Sequence, residues 1–530
     1  MPQPLVGNTN HTHDRLAQAL ALHQRGALSD AEQIYQQILK QHPRNFDALR
    51  LAGVLALQTQ RAQRGVELLE QAIKQNPNSA AAHRDLGTGM IALNRIDAAL
   101  ASYDKAIALQ PNYAEAYYNR GDALCRLQRH ESALSSYDTA IALQPNHADA
   151  HNNRGAALFD LRRYEAAVES CDKAIALRPD HAPAHTNRGA ALYGLLRHDD
   201  ALASYDKALT VRPDYAKAHW SKSLCLLQMG RLQQGWQEFE WRKKTDTPVA
   251  NRAYTQPLWL GQQDIAGKTL FLYWEQGFGD TIQFCRYAKL AQALGAHVIM
   301  SVQDPLLRLI RQLEPAIRII GGNQEPATFD YHCPLMSLPL AMRTTLETIP
   351  AQVPYLRADP ERSTAWRRRL AALPGRKVGL VWAGAPRPED PRSNTADRWR
   401  SITLDHYAPL ASIAGLCLIS LQKGDTAAQA RTPPAGMVLH DWTNELDDFA
   451  DTAALAEALD LIISVDTSVV HLAGALGKPV WVLNRYDQCW RWLTNRRDSP
   501  WYPTARLFRQ RKPGDWDEVI EQVRRELCDV

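Results

Sequence analysis

The sequence predicts an α-helical repeat solenoid followed by an α/β unit of two parallel-sheet lobes, the first of them short. Two observations carry this. The chain repeats with a period of 34 residues up to about residue 213. Beyond about residue 266, β-branched and aromatic runs alternate with helical stretches, the pattern of parallel strands joined by crossover helices. Tryptophan marks the change, since all fourteen lie at or after Trp220. A chain of 530 residues also exceeds what one hydrophobic core organises, so two or three domains are expected.

The repeat is explicit. Prolines at 43, 77, 111, 145, 179 and 213, glycines at 53, 87, 121, 155 and 189, and alanines at 72, 106, 140, 174 and 208 each recur every 34 residues. Three series in one register are the signature of the tetratricopeptide repeat (TPR), a helix pair per unit. Gly121 and Ala133 are small, which lets paired helices approach closely. Tyr103, Tyr137 and Tyr205 are expected to fill the gap to the next repeat, with Cys171 in the same slot of one unit. Each proline follows a second helix, which it cannot continue. Six full repeats run from about residue 12 to 213 and a modified seventh to about 245. In the seventh, Phe239 takes the tyrosine slot, and Trp236 and Trp241 are expected to cap the array onto the next domain.

One position on the first helices reads Asp85, Asn119, Asn153 and Asn187. A carboxamide carries both a donor and an acceptor, so a stacked row of them can pair with peptide backbone without reading side chains. The arrangement resembles the asparagine ladder of eukaryotic O-GlcNAc transferases, which implies a polypeptide in the groove. The plainer reading is a common polar residue copied with its repeat. His151, His185 and His219 also recur every 34 residues. Metal ligation needs convergence on one ion, which adjacent repeats do not offer, so the stripe is read as solvated or groove-lining.

After a linker at 246–266, a short lobe is expected over 267–356, with strands at about 269–274 and 297–302 and helices opening near Asp280 and Asp304. A Pro- and Arg-containing connection, 357–376, leads to a second lobe over 377–530. Its strands are expected from Lys377 and at about 416–421, 461–465 and 479–483, with helices at about 403–414, 449–459, 467–476 and 515–528. Both lobes read as Rossmann-like. Two such lobes facing across a cleft make the GT-B architecture, with ligands beyond the carboxyl ends of the strands.

Two motifs at those strand ends carry chemistry. Glu275, Gln276, Gly277, Phe278, Gly279 and Asp280 follow the first strand, and the third glycine of a dinucleotide fingerprint is replaced by Ile282. Gly277 and Gly279 permit a tight turn. Asp280 at the helix start is either a cap or a general base that takes a proton from an acceptor. In the second motif, Asp466, Thr467 and Ser468 join a buried strand to a helix, and Gly477, Lys478 and Pro479 follow it. Amides at that helix start suit a phosphate, and His471, one turn in, is placed to donate to it. Weaker signals are Gly384, where a missing side chain lets phosphate approach backbone, and Gln422 and Lys423 after the next strand. Asp515 and Asp517 match a metal-binding DxD in form but open a terminal helix, so they read as capping.

These motifs resemble the heptosyltransferases, glycosyltransferase family nine, over about residues 268–510. The resemblance implies a sugar-nucleotide-dependent transferase in which Asp280 acts as base and Asp466, Thr467 and His471 contact the donor pyrophosphate. It also implies inversion at the transferred sugar. The family's phosphate-binding lysine has no clear match here, and Arg398 or Arg400 stands in its place, able to pair phosphate bidentately. The short first lobe suggests that acceptor recognition has passed to the repeats. A polypeptide acceptor is therefore expected; the alternatives are a lipopolysaccharide or glycan acceptor, and a non-catalytic interaction scaffold with a degenerate transferase module.

Bulk properties narrow the rest. A net charge of +4 gives no electrostatic case for nucleic acid. The polar N-terminus has no signal-peptide core, and no apolar run reaches about 18 residues, so neither secretion nor a membrane span is expected. Eight scattered cysteines without CxxC fit a reduced, cytoplasmic protein without disulfides or zinc. No cofactor is expected, and arginine, helix dipole and amides would stabilise the leaving phosphate without a metal.

Overall fold

The structure, a computed structural model, describes residues 7–245, 252–385 and 397–529. It forms two compact units that divide between Pro213 and Asp214. The first holds six helix pairs: Gly7–Gln24 with Leu28–Gln41, Phe46–Gln58 with Ala62–Gln75, Ala80–Ala92 with Ile96–Leu109, Ala114–Arg126 with His130–Leu143, Ala148–Asp160 with Tyr164–Leu177, and Ala182–Gly194 with His198–Val211. The last four pairs are locked from inside in the same way. A Cβ on Gly87 would fall 2.4 Å from the Tyr103 ring, one on Gly121 or Gly189 2.5 Å from Tyr137 or Tyr205, and one on Gly155 2.5 Å from Cys171 Sγ. The large side chain thus fills the space its own repeat leaves at glycine. The tyrosine slot, expected to serve the contact with the next repeat, closes the contact within one.

A further 34-residue series emerges in the turns between paired helices. Gly26, Gln60, Asn94, Gln128, Arg162, Leu196 and Gly230 all have positive φ, from 57° at Asn94 to 80° at Gly26. The turn demands a left-handed residue, and glycine or asparagine meets that demand most cheaply.

The second unit begins with the seventh pair, Ala216–Gln228 and Leu232–Phe239, and a 3₁₀ turn, Glu240–Lys244. The domain boundary expected near 245 therefore falls at 213. Burial explains it. Trp236 is 1% exposed and meets Phe284 and Trp490 edge-on, with ring centroids 6.2 and 5.2 Å away. Arg242, also buried, bonds Glu275 and Ser337 at 2.7 Å each. Trp241 does not join this core; it stacks on His219 at 4.0 Å.

Two parallel sheets follow. The first comprises β1 (Thr269–Tyr273), β2 (His297–Val302), β3 (Arg318–Gly321) and β4 (Tyr331–Pro334), in the order β3-β2-β1-β4. The second comprises β5 (Arg376–Val381), β6 (Leu416–Ser420), β7 (Leu439–Asp441), β8 (Leu461–Val465), β9 (Val480–Asn484) and β10 (Ala505–Arg509), in the order β10-β9-β8-β5-β6-β7. Every pairing is parallel. The winding reverses beside the first strand of each sheet, between β1 and β4 and between β5 and β8. Such a reversal opens a crevice at the carboxyl ends of the strands.

Four strands, β3, β4, β7 and β10, go beyond those expected from sequence. The expected connection 357–376 contains the helix Pro360–Ala371, capped by Asp359 Oδ1, which accepts from the amides of Glu361 and Arg362. Of the expected linker, residues 246–251 lie outside the described residues. Its remainder is part of the fold: Trp259 and Ile265 are buried, and Trp259 N donates to His332 O in β4 at 2.9 Å. One continuous hydrophobic core runs from Trp236 and Phe239 through Leu272 and Phe284 to Val470, Trp490 and Trp501. Arg286 ties the lobes together, donating to Trp501 O at 2.9 Å and Tyr355 Oη at 2.7 Å. Among the described residues no helix is long and apolar enough to cross a membrane.

Candidate functional site

A cleft of about 540 Å³ opens where the carboxyl ends of the two sheets face each other. The loop after β1 supplies Gly277, Gly279 and Asp280; the loops after β5 and β6 supply Gly384, Gln422 and Lys423; the loops after β8 and β9 supply Asp466, Thr467, Ser468, His471, Asn484, Arg485 and Arg491. Arg400 and Asp397 complete one wall. Of the catalytic and donor-binding residues expected from sequence, Arg398 alone is outside the cleft lining, and it is exposed.

Asp280 sits at the third position of the helix Phe278–Phe284, not at its cap. Its Oδ2 accepts from Gly277 N at 2.9 Å, and its Oδ1 pairs with the Arg491 guanidinium. Sequence reading missed Arg491, although its place just beyond β9, at the mouth of the crevice, was the available signal. Arg491 Nε donates to Gln283 Oε1 at 2.7 Å, and the guanidinium lies 4.3 Å from the Trp490 ring. Burial alone would lower its pKa, but Asp280, Cys489 and Asp466 together hold it above the ordinary range. Gly277 and Gly279 are not turn glycines: Gly277 has φ −71°, and neither has positive φ. A Cβ on Gly279 would lie 2.7 Å from His471 Cδ2 and 3.5 Å from Ser468 Cα, so this glycine lets the two lobes' helix starts meet.

His471 is buried. Its Nδ1 bonds Tyr502 Oη at 2.9 Å, and its ring stacks on Trp492 at 5.7 Å. Burial first, then Arg491, Arg286 and Arg400, push its pKa well below 6.5. It is therefore neutral at neutral pH, with one ring N–H to donate. Thr467 stands at the N-cap position of the helix Ser468–Ala475 without a side-chain capping bond and meets Ser464 Oγ at 3.1 Å, while Asp466 and Ser468 are half-buried on the cleft wall.

Three expected donor-binding residues are occupied by the fold. Gln422 Oε1 accepts from Trp382 N and Ala383 N at 2.9 and 2.8 Å, and its Nε2 donates to Ala383 O, Lys423 O and Thr426 Oγ1. Lys423 Nζ donates to Thr443 O and Leu446 O at 2.7 Å each. Both are loop staples rather than free ligand contacts. Gly384 leaves room for Asp397 and Arg400, whose side-chain atoms lie 2.6 and 2.9 Å from where its Cβ would be. Arg400 pairs with Asp397 and donates to Asp466 O at 2.8 Å. Even so, among the described residues Arg400 Nε and Asn484 Nδ2 are buried without a hydrogen-bond partner, both on residues lining the cleft. Buried donors are nearly always satisfied, so these two suit an occupant.

The repeat ladder is also tied internally. Asp85 is buried and pairs with Arg50 and Arg84 at 2.9 Å each. Asn187 Nδ2 donates to Asn152 Oδ1 at 2.9 Å, Asn152 to Asn153 Oδ1 at 2.8 Å, and Asn153 to Asp122 Oδ1 at 2.8 Å. Asn119 is half-buried. Asn153 and Asn187, expected to grip backbone, are thus linked through Asn152 in a lateral chain between repeats. His151 and His185 are bonded to the carbonyls of Pro145 and Pro179 at 3.0 and 2.9 Å, as His83 is to Pro77, so these members of the stripe hold inter-helix turns, while His219 pairs with Glu238. Asp515 is a cap: its Oδ1 accepts from Glu518 N at 3.3 Å.

Models of the tetratricopeptide repeat match residues 22–89, 91–128, 125–182 and 182–215. Residues 22–215 are tetratricopeptide repeats. This chain is also similar to protein FlbA of Caulobacter vibrioides, 28% identical over 332 residues, which cover 58% of this chain and 54% of that protein. The chain thus spans about half the length of that curated relative. Solved structures to which this chain is similar include YrrB, a TPR protein with an unusual peptide-binding site, at 20% identity, 36% of this chain, 98% of that one and a TM-score of 0.31. Another is a thermophilic TPR protein of Thermus thermophilus, at 26% identity, 34% of this chain, all of that one and a TM-score of 0.31. A third is a tetratricopeptide repeat protein of Parabacteroides merdae, at 16% identity, 46% of this chain, 94% of that one and a TM-score of 0.38.

Proposed function

We propose that the protein is a glycosyltransferase of GT-B type, taking a sugar from a nucleotide-sugar and passing it, with inversion, to a polypeptide bound by the TPR array. The observation that carries this reading is the cleft itself. Two doubly wound sheets turn their strand ends toward it, and a carboxylate, Asp280, shares it with Arg400 and Arg491. In that reading the donor diphosphate lies between Arg400 and the start of the helix Ser468–Ala475, whose amides and dipole favour an anion. Asn484 Nδ2 and Arg400 Nε gain the partners they lack. Asp280 accepts the acceptor's proton, and neutral His471 contributes its single N–H as a hydrogen-bond donor. The heptosyltransferase resemblance of the 275–280 and 461–480 motifs supports the same assignment, and TPR arrays commonly bind protein partners.

A second reading has an observation in its favour. Asp280, Gln422 and Lys423 are all engaged by the fold, as they would be in a transferase module retained only as a scaffold. The two are separated by a thermal-shift screen of the full chain with UDP, GDP, ADP, dTDP and CMP in EDTA. A ligand held a hundredfold above its Kd stabilises by about 2.7 kcal/mol. A rise with one nucleotide family supports the transferase, and Asp280→Ala should then abolish transfer while donor binding persists. No rise with any of them supports the scaffold.

A further inference from the structure

The three arginines of the cleft are held in ion pairs, and one of those pairs takes up the candidate base. Among the described residues, its lining carries five carboxylates and four cations. Each of these cations already has a partner: Arg400 has Asp397, Lys423 has two carbonyls, Arg485 has Asp487 and Arg491 has Asp280. An anion entering this cleft finds the unpartnered Nε of Arg400 and the charge of Lys423, whose partners are neutral carbonyls, but it engages the Nη groups of Arg491 fully only by drawing them from Asp280.

Arg491 is the cation built to be drawn. Gln283 anchors its Nε, and the Trp490 ring supports the guanidinium plane. Among the described residues its Nη1 has only Cys489 Sγ, at 3.1 Å, and a thiol is a weak acceptor. The Nη groups can therefore change partner about a fixed Nε. On the other side, Asp280 has committed Oδ2 to the Gly277 amide, which leaves Oδ1 for chemistry, and Oδ1 is the oxygen Arg491 holds.

We propose that Arg491 masks Asp280 in the empty cleft and passes to the anion when one binds, so that the diphosphate of a donor unmasks the base. This rests on reading the cleft as a donor site and adds an order to it: donor first, acceptor second. The exchange suits a group-transfer enzyme, because the carboxylate becomes able to take a proton only when a donor is in place.

The test needs no turnover. Binding of inorganic pyrophosphate to the full chain is measured by calorimetry at fixed salt for the wild type, Asp280→Asn, Arg491→Gln and the double variant, each checked by its melting curve. Freeing Arg491 from its carboxylate should tighten pyrophosphate about 5- to 10-fold in Asp280→Asn. Arg491→Gln should weaken it about 10-fold or more. In the Arg491→Gln background, Asp280→Asn should have no effect. If Arg491→Gln does not fold, Arg491→Lys, which keeps the charge without the fork, should show a smaller tightening. Equal tightening with and without Arg491 would mean plain removal of a negative charge and would overturn the exchange. So would unchanged or weaker binding in Asp280→Asn, which would make Asp280 an orienting partner of Arg491. In those cases the donor site stands. If neither pyrophosphate nor any nucleoside diphosphate binds the wild type, the donor site itself falls, and the exchange with it.

Discussion

Replacing Arg242 with Met tests whether the seventh helix pair belongs to the α/β core. Arg242 is 1% exposed, and its guanidinium meets Glu275 Oε2 at 2.7 Å, Ser337 Oγ at 2.7 Å and Glu240 Oε1 at 2.8 Å. Glu275 is nearly as buried, with 3% of its side chain exposed. Burial alone would lower the arginine's pKa, yet Glu275 and Glu240 together hold it above its ordinary value. Methionine fills much of the same volume but strands Glu275 without a counter-charge. Breaking a buried pair this way destabilises by about 3–5 kcal/mol. Removing both charges, in Arg242→Met with Glu275→Gln, should recover most of that loss, since a buried pair contributes little net stability. Tryptophan fluorescence during urea unfolding isolates the effect, because all fourteen tryptophans lie at or after Trp220 and report the second unit alone. A single variant that loses less than about 1 kcal/mol, the range of an exposed pair, would refute the reasoning.

Four further outcomes are expected. Gly121→Ala should destabilise the array by about 1–3 kcal/mol in a circular-dichroism melt, because overpacking against the Tyr137 ring outweighs the usual helical gain of alanine over glycine. Gln60→Gly should stabilise it by about 0.5–1 kcal/mol in the same melt, since Gln60 is exposed at φ 60° and glycine relieves that conformation. Gln422→Leu should destabilise the second unit by about 2–4 kcal/mol in urea, because it leaves the buried amides of Trp382 and Ala383 unpaired. Finally, His471 is held neutral in the fold and takes up a proton once unfolded. The unfolded state therefore binds more protons as pH drops below 6.5, and stability falls there by up to about 1.4 kcal/mol per pH unit. His332 is shifted the same way, so the check is the difference in pH slope between wild type and His471→Asn.

The repeats were legible because their spacing is enforced by packing that recurs: one glycine, one filler and one proline per unit. The left-handed turn series at 26 through 230 was not, because the backbone there is common while the residues differ, from Asn94 to Leu196. Buried strands such as β8 and β9 announced themselves as unbroken apolar runs. β10 did not, because Arg506 and Arg509 interrupt it, and β4 did not, because it is four residues long and ends in Pro334. The helix Pro360–Ala371 hid behind its arginines despite a cap and a proline at its start. In the cleft, strand-end reasoning found most of the lining but could not separate residues that face a ligand from those that staple a loop, as Gln422 and Lys423 do. Arg242 and Arg491 were invisible for a related reason: an arginine reads as solvated until its partner is known, and Asp280 lies 211 residues from Arg491 along the chain.

The lock inside each repeat bears on how such an array can change over generations. Glycine and its filler lie in the same 34-residue unit, as with Gly87 and Tyr103 or Gly155 and Cys171. A duplication or deletion of one whole unit therefore carries both halves of this lock together, although close contacts that cross between units, such as Gly194 with Tyr164 and Gly89 with Val66, have to be matched again. Array length can drift in steps of one repeat, and the filler itself can be exchanged, as cysteine stands for tyrosine at 171 opposite Gly155. The lineage can lengthen or shorten its repeat array by whole units and leave the packing of each remaining lock as it was.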